Sequence, residues 1–427
     1  MNNSKTLAAL LAFGAIAAGP ASTQVRCPVP AAKVALPPTK AADTGDNLMM
    51  TSFFSTQKTK GCAAITNLQG VPSWSYCVDG AHMFATRAVP GGTLLLINNT
   101  SFTDYSVSEI NLAGTTVNSI TQAAANSQLA TLGQQSIIDF NHEAMRLPSG
   151  DTAIIAHNEA LYTNAQGGTS QNPVDVMGDE VLVLNPTWKV VWTWNAFDCP
   201  NCATELPVSR AAILGETCHP CADTQTGDCC PITLASQAND WLHGNSLTYD
   251  STDGNLILSL RSQDWIVKIA YQNGTGDGHI VWRLGYQGDF AMQNTPGVPL
   301  PWFSHQHDVE IWNSANPKQL TLFDNGNTRR ATNPSADSRG QALVIDTTSM
   351  TVDIHTNVDF SFYSSAYGTS QILPNGNYWW QAGAAPGPNN TRSFEYVPSG
   401  YTGGTVYAIQ FADTAYRSFR LNSASGF

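Results

Sequence analysis

Short runs of alternating apolar and polar residues follow one another along this sequence, and turns rich in Gly, Asn, Asp and Pro separate them. Such alternation is typical of β-strands with one buried face. In one recurring form, a polar residue or histidine opens a strand, a tight turn follows, and an apolar strand comes after the turn. The copies read HMFATRAVPGGTLLLI from His82, HEAMRLPSGDTAIIA from His142, HGNSLTYDSTDGNLILSL from His243, HDVEIWNSANPKQLTLF from His307 and GTSQILPNGNYWWQAG from Gly368. The pattern predicts a chain of β-hairpins.

The copies recur at a period of about 60 residues, which is room for four strands. The interval from His142 to His243 is longer, and a cysteine-rich insertion at about 198–239 accounts for the excess. Four-stranded units at a fixed period are typical of a β-propeller. Five units are visible, and strands near Trp74–Tyr76 with the C-terminal TVYAIQF and YRSFRL segments would close a sixth. We therefore predict an all-β fold: a six-bladed β-propeller of four-stranded blades, forming one domain over 24–427, with a cysteine-rich loop insertion.

The first residues have the pattern of an export signal. Lys5 precedes an apolar run from Leu7 to Ala18, which is too short to span a bilayer. We predict a signal peptide over 1–23 and a periplasmic or secreted protein, with an uncleaved anchor as the alternative. No later stretch is apolar and long enough to predict a membrane span.

Nine cysteines in an exported chain favour disulfides over free thiols. The CPNC…CHPC pattern also has the spacing of a zinc ribbon, so a structural metal is the alternative. Periplasmic thiol-oxidising machinery would be the partner that forms the disulfides. An odd total leaves one thiol unpaired or bonded to another chain. The disulfide candidates are the six cysteines of the insertion: Cys199, Cys202, Cys218, Cys221, Cys229 and Cys230.

Composition limits the classes of partner that this protein is expected to bind. Charged residues make up 12% of the chain and the net charge is −12, without a basic run, so a nucleic-acid partner is not expected. Only Ile120 to Leu132 has a helical character, which disfavours a parallel α/β fold. An acidic protein that binds an anion must use a local cluster of positive groups, and this requirement draws attention to the few His and Arg residues.

In a propeller, the start of each repeat lies on the central channel, so the repeat histidines should converge. Asn245 follows His243 by two residues and would share its face of a strand, and Arg261 would lie on the next strand. His, Asn and Arg without convergent carboxylates would suit a tetrahedral oxyanion rather than calcium, with a three-histidine zinc site as the alternative. A neutral imidazole in such a site is a good nucleophile toward sulfur or phosphorus.

The segment DWLHGNSLTYDSTDGNLILSLRSQDWIVKI resembles the signature stretch of bacterial arylsulfate sulfotransferases that need no nucleotide sulfate donor. NHEAMRLPSGD, HQHDVEI followed by LFDNGNTRR, and YGTSQILPNGN resemble three further segments of that family. The resemblance implies His307 as the nucleophile, with His305, two residues earlier, as the alternative. The other residues that it implies are His243 and Arg261 in catalysis and His142, Asn245 and Thr369 in substrate binding.

The resemblance further implies ping-pong transfer of a sulfuryl group from an aryl sulfate to a phenol through a covalent sulfohistidine. It implies no metal and no organic cofactor. Two alternatives stay open: hydrolysis of aryl sulfates at the same site, and a secreted propeller that binds ligands without chemistry. The insertion is foreign to the family pattern, and we hypothesise that it forms a disulfide-stapled lid that shapes acceptor choice. Weaker candidates are Asn325 and Arg329, which would orient the nucleophile's strand, and Trp379 and Trp380, which would stack on a phenol ring or pack between blades.

Overall fold

The computed structural model describes residues 24–45, 47–54, 60–79, 81–100, 104–220, 229–295, 297–312, 316–398 and 404–421. The predicted signal peptide and Cys221 lie outside these residues, as do the side chains of His82 and Cys229. None of the helices in the described ranges has the length and apolar character that crossing a membrane requires.

The strands form six sheets, which are the blades of a six-bladed β-propeller. The blades are numbered from the blade that closes the ring, which is blade I. Blade I contains Leu48–Phe54, Lys60–Asn67, Pro72–Asp79, Thr414–Leu421 and the short Gln24–Val25. Blade II contains Ala81–Val89, Thr93–Thr100, Asp104–Asn111 and Thr116–Thr121. Blade III contains Asp139–Arg146, Thr152–Tyr162, Val174–Leu184 and Val190–Asn195.

Blades IV to VI complete the ring. Blade IV contains Gly244–Asp250, Asn255–Leu260, Trp265–Ile269 and Ile280–Gly285. Blade V contains His307–Trp312, Lys318–Asp324, Arg339–Asp346, Thr351–Asp359 and the parallel edge strand Ala291–Asn294. Blade VI contains Thr369–Ile372, Tyr378–Ala382, Thr391–Val397, Gly404–Phe411 and Ala32–Leu36. One strand of each blade contacts its counterparts in the two neighbouring blades, and these inner strands surround the axis.

The closure of the ring differs in part from the prediction. YRSFRL does lie in the closing blade, where Thr414–Leu421 is the inner strand. TVYAIQF instead lies in blade VI, because Gly404–Phe411 pairs with Thr391–Val397 on one side and Ala32–Leu36 on the other. The ring is therefore closed twice, by an early strand in blade VI and by a late strand in blade I.

The core lies between the blades, where each pair of neighbours shares one hydrophobic cluster. Alternation along a strand serves two clusters at once, since Ile154 faces blade II and Ile155 faces blade IV. Trp379 and Trp380 are fully buried in the clusters on either side of blade VI. They therefore pack between blades and do not line the channel mouth.

Helices are few. Gln122–Thr131 follows blade II at the predicted place, and Thr121 caps its start by accepting a hydrogen bond from the Ala124 amide at 3.2 Å. The remaining helical segments are the α-helices Cys202–Glu205 and Asn327–Thr332 and the 3₁₀ turns Arg261–Gln263 and Gln272–Gly274.

The insertion packs on blade III. Its strand Ala238–Asp240 runs parallel to the start of Val174–Leu184 and antiparallel to Thr217–Pro220, which in turn pairs with Cys229–Cys230. Disulfides join Cys199 to Cys202 and Cys218 to Cys230. These four of the six candidate cysteines are thus paired within the insertion.

A second cysteine group, not predicted from the sequence, lies at the outer edge of blade I. Cys77 is within disulfide reach of both Cys27 and Cys62. Because a cysteine forms one disulfide at a time, only one of these pairs exists in a given molecule. This group is the only set of potential metal ligands found in the described ranges, and the three sulfurs lie within 4.8 Å of one another.

Candidate active site

The inner strands lose their regular register at the histidines. Shifts occur between Asn141 and Ala144 in blade III, between Gly244 and Ser246 in blade IV, and between His307 and Glu310 in blade V. His142 and His243 have left-handed backbones, with φ of 50° and 55°. Such conformations are uncommon outside glycine, and bulges beside a site redirect side chains.

Three repeat histidines converge at this point. The ring centroids of His142 and His243 lie 4.7 Å apart. Burial, with additional repulsion from His243, His157 and His307, lowers the pKa of His142 well below its usual range. Burial also lowers the pKa of His307, and the positive charge of Arg261 is the next cause. The structure therefore brings His142, His243, His307 and Arg261 together, and it keeps two of the rings neutral at pH 7.

His307 is held in one tautomer. Its Nδ1 lies 2.7 Å from Oδ1 of Asn325. The amide nitrogen of Asn325 donates to the carbonyls of Ser364 at 2.8 Å and Tyr367 at 3.0 Å, so its oxygen is the atom that faces the ring. An amide oxygen only accepts, so Nδ1 carries the proton and Nε2 carries the lone pair.

His305, the alternative nucleophile, is in a different state. It is fully buried, its Nδ1 lies 2.8 Å from Oδ1 of Asp264, and its Nε2 contacts Oε1 of Glu216. Burial opposes the charged form, but hydrogen bonds to the two carboxylates outweigh burial and raise the pKa of His305. Both nitrogens are therefore occupied. A φ of 51° at His305 also breaks the extended geometry that would align it with His307.

Carboxylates surround the histidines, contrary to the expectation from sequence. Oδ2 of Asp240 lies 2.5 Å from Nδ1 of His243. His157 lies 3.0 Å from Asp139 and 3.6 Å from Asp179. Burial opposes its protonation, but Asp139 and then Asp179 raise the pKa of His157 to about 9. Each of these acids contacts a histidine ring, and none of them belongs to a cluster of potential metal ligands in the described ranges.

Arg261 begins the 3₁₀ turn that follows Asn255–Leu260, rather than lying within that strand. Its Nη1 is 3.9 Å from Oε1 of Glu216, a residue of the cysteine-rich insertion. The side chain of Arg261 is 15% exposed, so its guanidinium is shielded but not sealed off. This placement leaves a planar set of donors beside His307.

Two predicted binding residues lie among the inner strands. Asn245 is fully buried and donates from Nδ2 to the Gln306 carbonyl at 2.7 Å. The hydroxyl of Thr369 donates to Gln381 at 2.9 Å and accepts from the Ser418 amide at 2.9 Å. No contact described in the structure joins either side chain to His307, and the face that Asn245 was predicted to share with His243 is lost at the register shift.

A network of charged side chains beside the histidines, here called the charge ring, links all six blades. Its four charged members are Arg87, Glu143, Asp308 and Arg417. Arg87 contacts Glu143 at 3.2 Å and Asp308 at 2.8 Å, and Arg417 contacts Glu143 at 2.5 Å. These residues come from blades II, III, V and I.

Backbone groups bring the other two blades into the charge ring. Arg417 donates to the Asn245 carbonyl of blade IV at 2.6 Å, and Asp308 accepts from the Ser370 amide of blade VI at 3.0 Å. The acids Glu143 and Asp308 directly follow His142 and His307, which is the one sequence signal for this network.

Asn325 and Arg329, the weaker candidates, differ in whether they contact His307. Asn325 bonds the ring of His307, as described above. Arg329 instead contacts Asp324 and donates to the Asp337 carbonyl at 2.8 Å, which ties its helix to blade V. Tyr416, which sequence reasoning missed, donates its hydroxyl to the His142 carbonyl at 2.7 Å and holds the bulge of blade III.

Comparison with known proteins places the chain. Residues 33–416 match the family described as Arylsulfotransferase (ASST). The chain belongs to the arylsulfotransferase family. A curated relative in this family, the arylsulfate sulfotransferase AssT of Escherichia coli, is 24% identical over 233 residues. That match spans 46% of this chain and 36% of the relative's length.

Two solved structures are similar to this chain at a distance. A protein of unknown function from Bacteroides caccae has a TM-score of 0.46 at 11% identity, covering 87% of this chain and 97% of its own. The periplasmic gluconolactonase PpgL of Pseudomonas aeruginosa has a TM-score of 0.39 at 12% identity, covering 86% of each chain. Neither of these likenesses bears on what this arylsulfotransferase family member does.

Proposed function

We propose that this protein transfers a sulfuryl group from an aryl sulfate to a phenol in two steps, through a sulfohistidine at His307. The observation that carries the proposal is the state of that ring. His307 is neutral, its Nδ1 proton is bonded to Asn325, and Arg261 lies beside it. Membership of the arylsulfotransferase family supports sulfuryl transfer as the reaction class.

In the first step, Nε2 of His307 attacks sulfur, the sulfur–oxygen bond to the aryl group breaks, and the phenolate leaves with the electron pair. Arg261 would neutralise charge on the sulfuryl oxygens as the bonds exchange. His243, whose Nδ1 lies 2.5 Å from Oδ2 of Asp240, would protonate the departing phenolate. His142, Asn245 and Thr369 are the predicted contacts of the sulfuryl oxygens, and His142 is the one placed against His243.

In the second step, an acceptor phenol attacks the sulfur, the sulfur–nitrogen bond breaks, and its electrons return to Nε2. The phenol's proton passes to His243, which restores the starting state of both rings. Splitting one transfer into two lets a single positioned nucleophile serve both partners. We propose no metal and no organic cofactor for either step.

His307 is the better nucleophile of the HQH pair on chemical grounds. A nucleophilic imidazole needs a lone pair, and burial together with Arg261 keeps His307 unprotonated. His305 has both nitrogens bound to carboxylates and a raised pKa, so it lacks a free lone pair. We therefore assign His305 to positioning, since it joins Asp264 to Glu216.

The test is intact-protein mass spectrometry after mixing with 4-nitrophenyl sulfate in the absence of acceptor. We expect the wild type to gain one sulfuryl group and His307→Ala to gain none. His355→Ala, at an exposed position in the outer strand of blade V, is the matched control. A wild type that gains no mass but still binds the ester would instead support a binding protein.

Product analysis separates transfer from hydrolysis. With a phenol present, we expect sulfated phenol to exceed free sulfate. Free sulfate as the main product would replace the transferase proposal with an aryl sulfate hydrolase. We further propose an exported location, periplasmic or secreted, which the disulfides of the insertion support.

A further inference from the structure

The cysteine-rich insertion contributes one carboxylate, that of Glu216, to the site. Glu216 directly precedes the strand Thr217–Pro220 and lies two residues before the disulfide-bonded Cys218. Its carbonyl accepts from the Asp240 amide at 3.0 Å, and its Oε2 accepts from the Leu214 amide at 3.2 Å. The residue is therefore fixed both by the insertion's sheet and by its own turn.

The other carboxylate oxygen, Oε1, faces two cations. It contacts Nε2 of His305 and lies 3.9 Å from Nη1 of Arg261. Burial favours the neutral acid, but the hydrogen bond from His305, its charge and the charge of Arg261 together outweigh burial and lower the pKa of Glu216. Glu216 is thus an anion at neutral pH, beside the guanidinium proposed to receive the substrate's oxyanion.

Carboxylates compensate the positive charges around the site before any substrate binds, and Asp139, Asp179 and Asp240 beside His157 and His243 add to this compensation. Arg261 and His305 oppose Glu216 and Asp264, and the charge ring carries two positive and two negative groups. The rings of His142 and His307 are neutral. A bound anion therefore meets a compensated site rather than a strongly positive one, and each further negative charge on the ligand is repelled by Glu216.

Resting on the proposed function, we infer that Glu216 selects singly charged esters, so that aryl sulfates are accepted and aryl phosphates are rejected. The two esters have the same tetrahedral shape. At neutral pH a sulfate monoester carries one negative charge, whereas a phosphate monoester has a second pKa near 6 and carries almost two. Coulomb repulsion grows with ligand charge, so the carboxylate penalises the phosphate more.

The test measures binding, not turnover. Isothermal titration calorimetry at pH 7.5 would compare benzenesulfonate, a monoanion that cannot transfer its group, with phenyl phosphate. We expect the wild type to prefer benzenesulfonate. Glu216→Gln keeps the size and the acceptor oxygen but removes the charge, and we expect it to strengthen phenyl phosphate binding about tenfold more than benzenesulfonate binding.

Glu205→Gln is the matched control. Glu205 also belongs to the insertion, but its carboxylate pairs with Arg283 at 3.2 Å at the periphery of blade IV. We expect its selectivity to equal that of the wild type. Equal changes of both affinities in Glu216→Gln would overturn the inference, because the residue would then act through structure alone.

Titration of the wild type provides a second test that needs no variant. At pH 5 phenyl phosphate is largely a monoanion, whereas Glu216 stays ionised because its pKa is lowered. The preference for benzenesulfonate should therefore shrink as the pH falls from 7.5 to 5. A constant preference, or equal affinity for the two ligands at pH 7.5, would refute the role of Glu216. Absent sulfuryl transfer with intact charge selectivity would refute the proposed function alone.

Discussion

Replacing Asn325 with alanine should reduce the reactivity of His307 without changing the His307 side chain itself. Asn325 supplies the acceptor for Nδ1–H at 2.7 Å, and it is fixed by the carbonyls of Ser364 and Tyr367. Without that acceptor, the buried N–H has no partner. The imidazole can relieve this by moving its proton to Nε2, which removes the lone pair that we propose attacks sulfur.

The size of the effect follows from the cost of an unsatisfied buried donor, about 1–3 kcal/mol. That free energy corresponds to a reduction of about 5- to 150-fold in the population of the reactive tautomer. We expect the rate of the first step to fall by the same factor. Single-turnover release of 4-nitrophenol from 4-nitrophenyl sulfate, followed by stopped flow, measures that step directly.

A pH profile separates positioning from a merely structural role. In the proposed mechanism neutral His307 is the active form, and its pKa is lowered, so the wild-type rate should persist below pH 6.5. In Asn325→Asp, a carboxylate beside Nδ1 would raise the pKa of His307 and move the acidic limb of the profile to higher pH. Asn327→Ala is the control, since its amide donates to the Ser365 carbonyl instead. If Asn325→Ala retains the rate within twofold, the tautomer argument is wrong.

Three further predictions concern stability and the insertion. Arg417→Met should lower the free energy of unfolding in urea by about 3 to 5 kcal/mol, because two buried acids lose a partner. Arg330→Met, at a half-buried position beside Asp337, should cost less than about 1 kcal/mol, and equal losses would contradict the charge ring. His157 has a raised pKa, so its contribution of about 3 kcal/mol is present below pH 6.5 and lost as the pH rises through about 9. Urea unfolding across that window should show a flatter dependence for His157→Gln than for the wild type, and parallel curves would exclude the linkage. Cys218→Ser should loosen the insertion and shift anion selectivity in the same direction as Glu216→Gln, and unchanged calorimetric affinities would separate the disulfide from that role.

The blades were predictable because their signal is local. Alternation and turn residues define each hairpin within a short window, and a fixed period implies radial repetition. The closing blade was predicted only in part, since pairing between Thr414–Leu421 and Leu48–Phe54 leaves no short-range pattern. Position in the repeat likewise indicated that His142 and His307 would face the axis.

Contacts made across blades were beyond sequence reasoning. Glu216 lies in the insertion, 89 residues before His305, and nothing in its neighbourhood marks it as a ligand of a histidine. The prediction that His243 and Asn245 share one face of a strand was wrong for a different reason. Strand alternation holds only for extended backbone, and His243 is left-handed.

The double closure of the ring also bears on how the molecule assembles. Ala32–Leu36 needs a partner near residue 408, and Leu48–Phe54 needs one near residue 418, so neither pairing can form before those later strands are synthesised. Pairings this distant in sequence make folding slow. Arg417 lies on the later of these strands, Thr414–Leu421, and contacts Glu143 and Asp308, the acids that directly follow His142 and His307. A chain that stops short of Arg417 therefore lacks one of the two cations that compensate Glu143 and Asp308, so the proposed chemistry depends on pairing of this late strand.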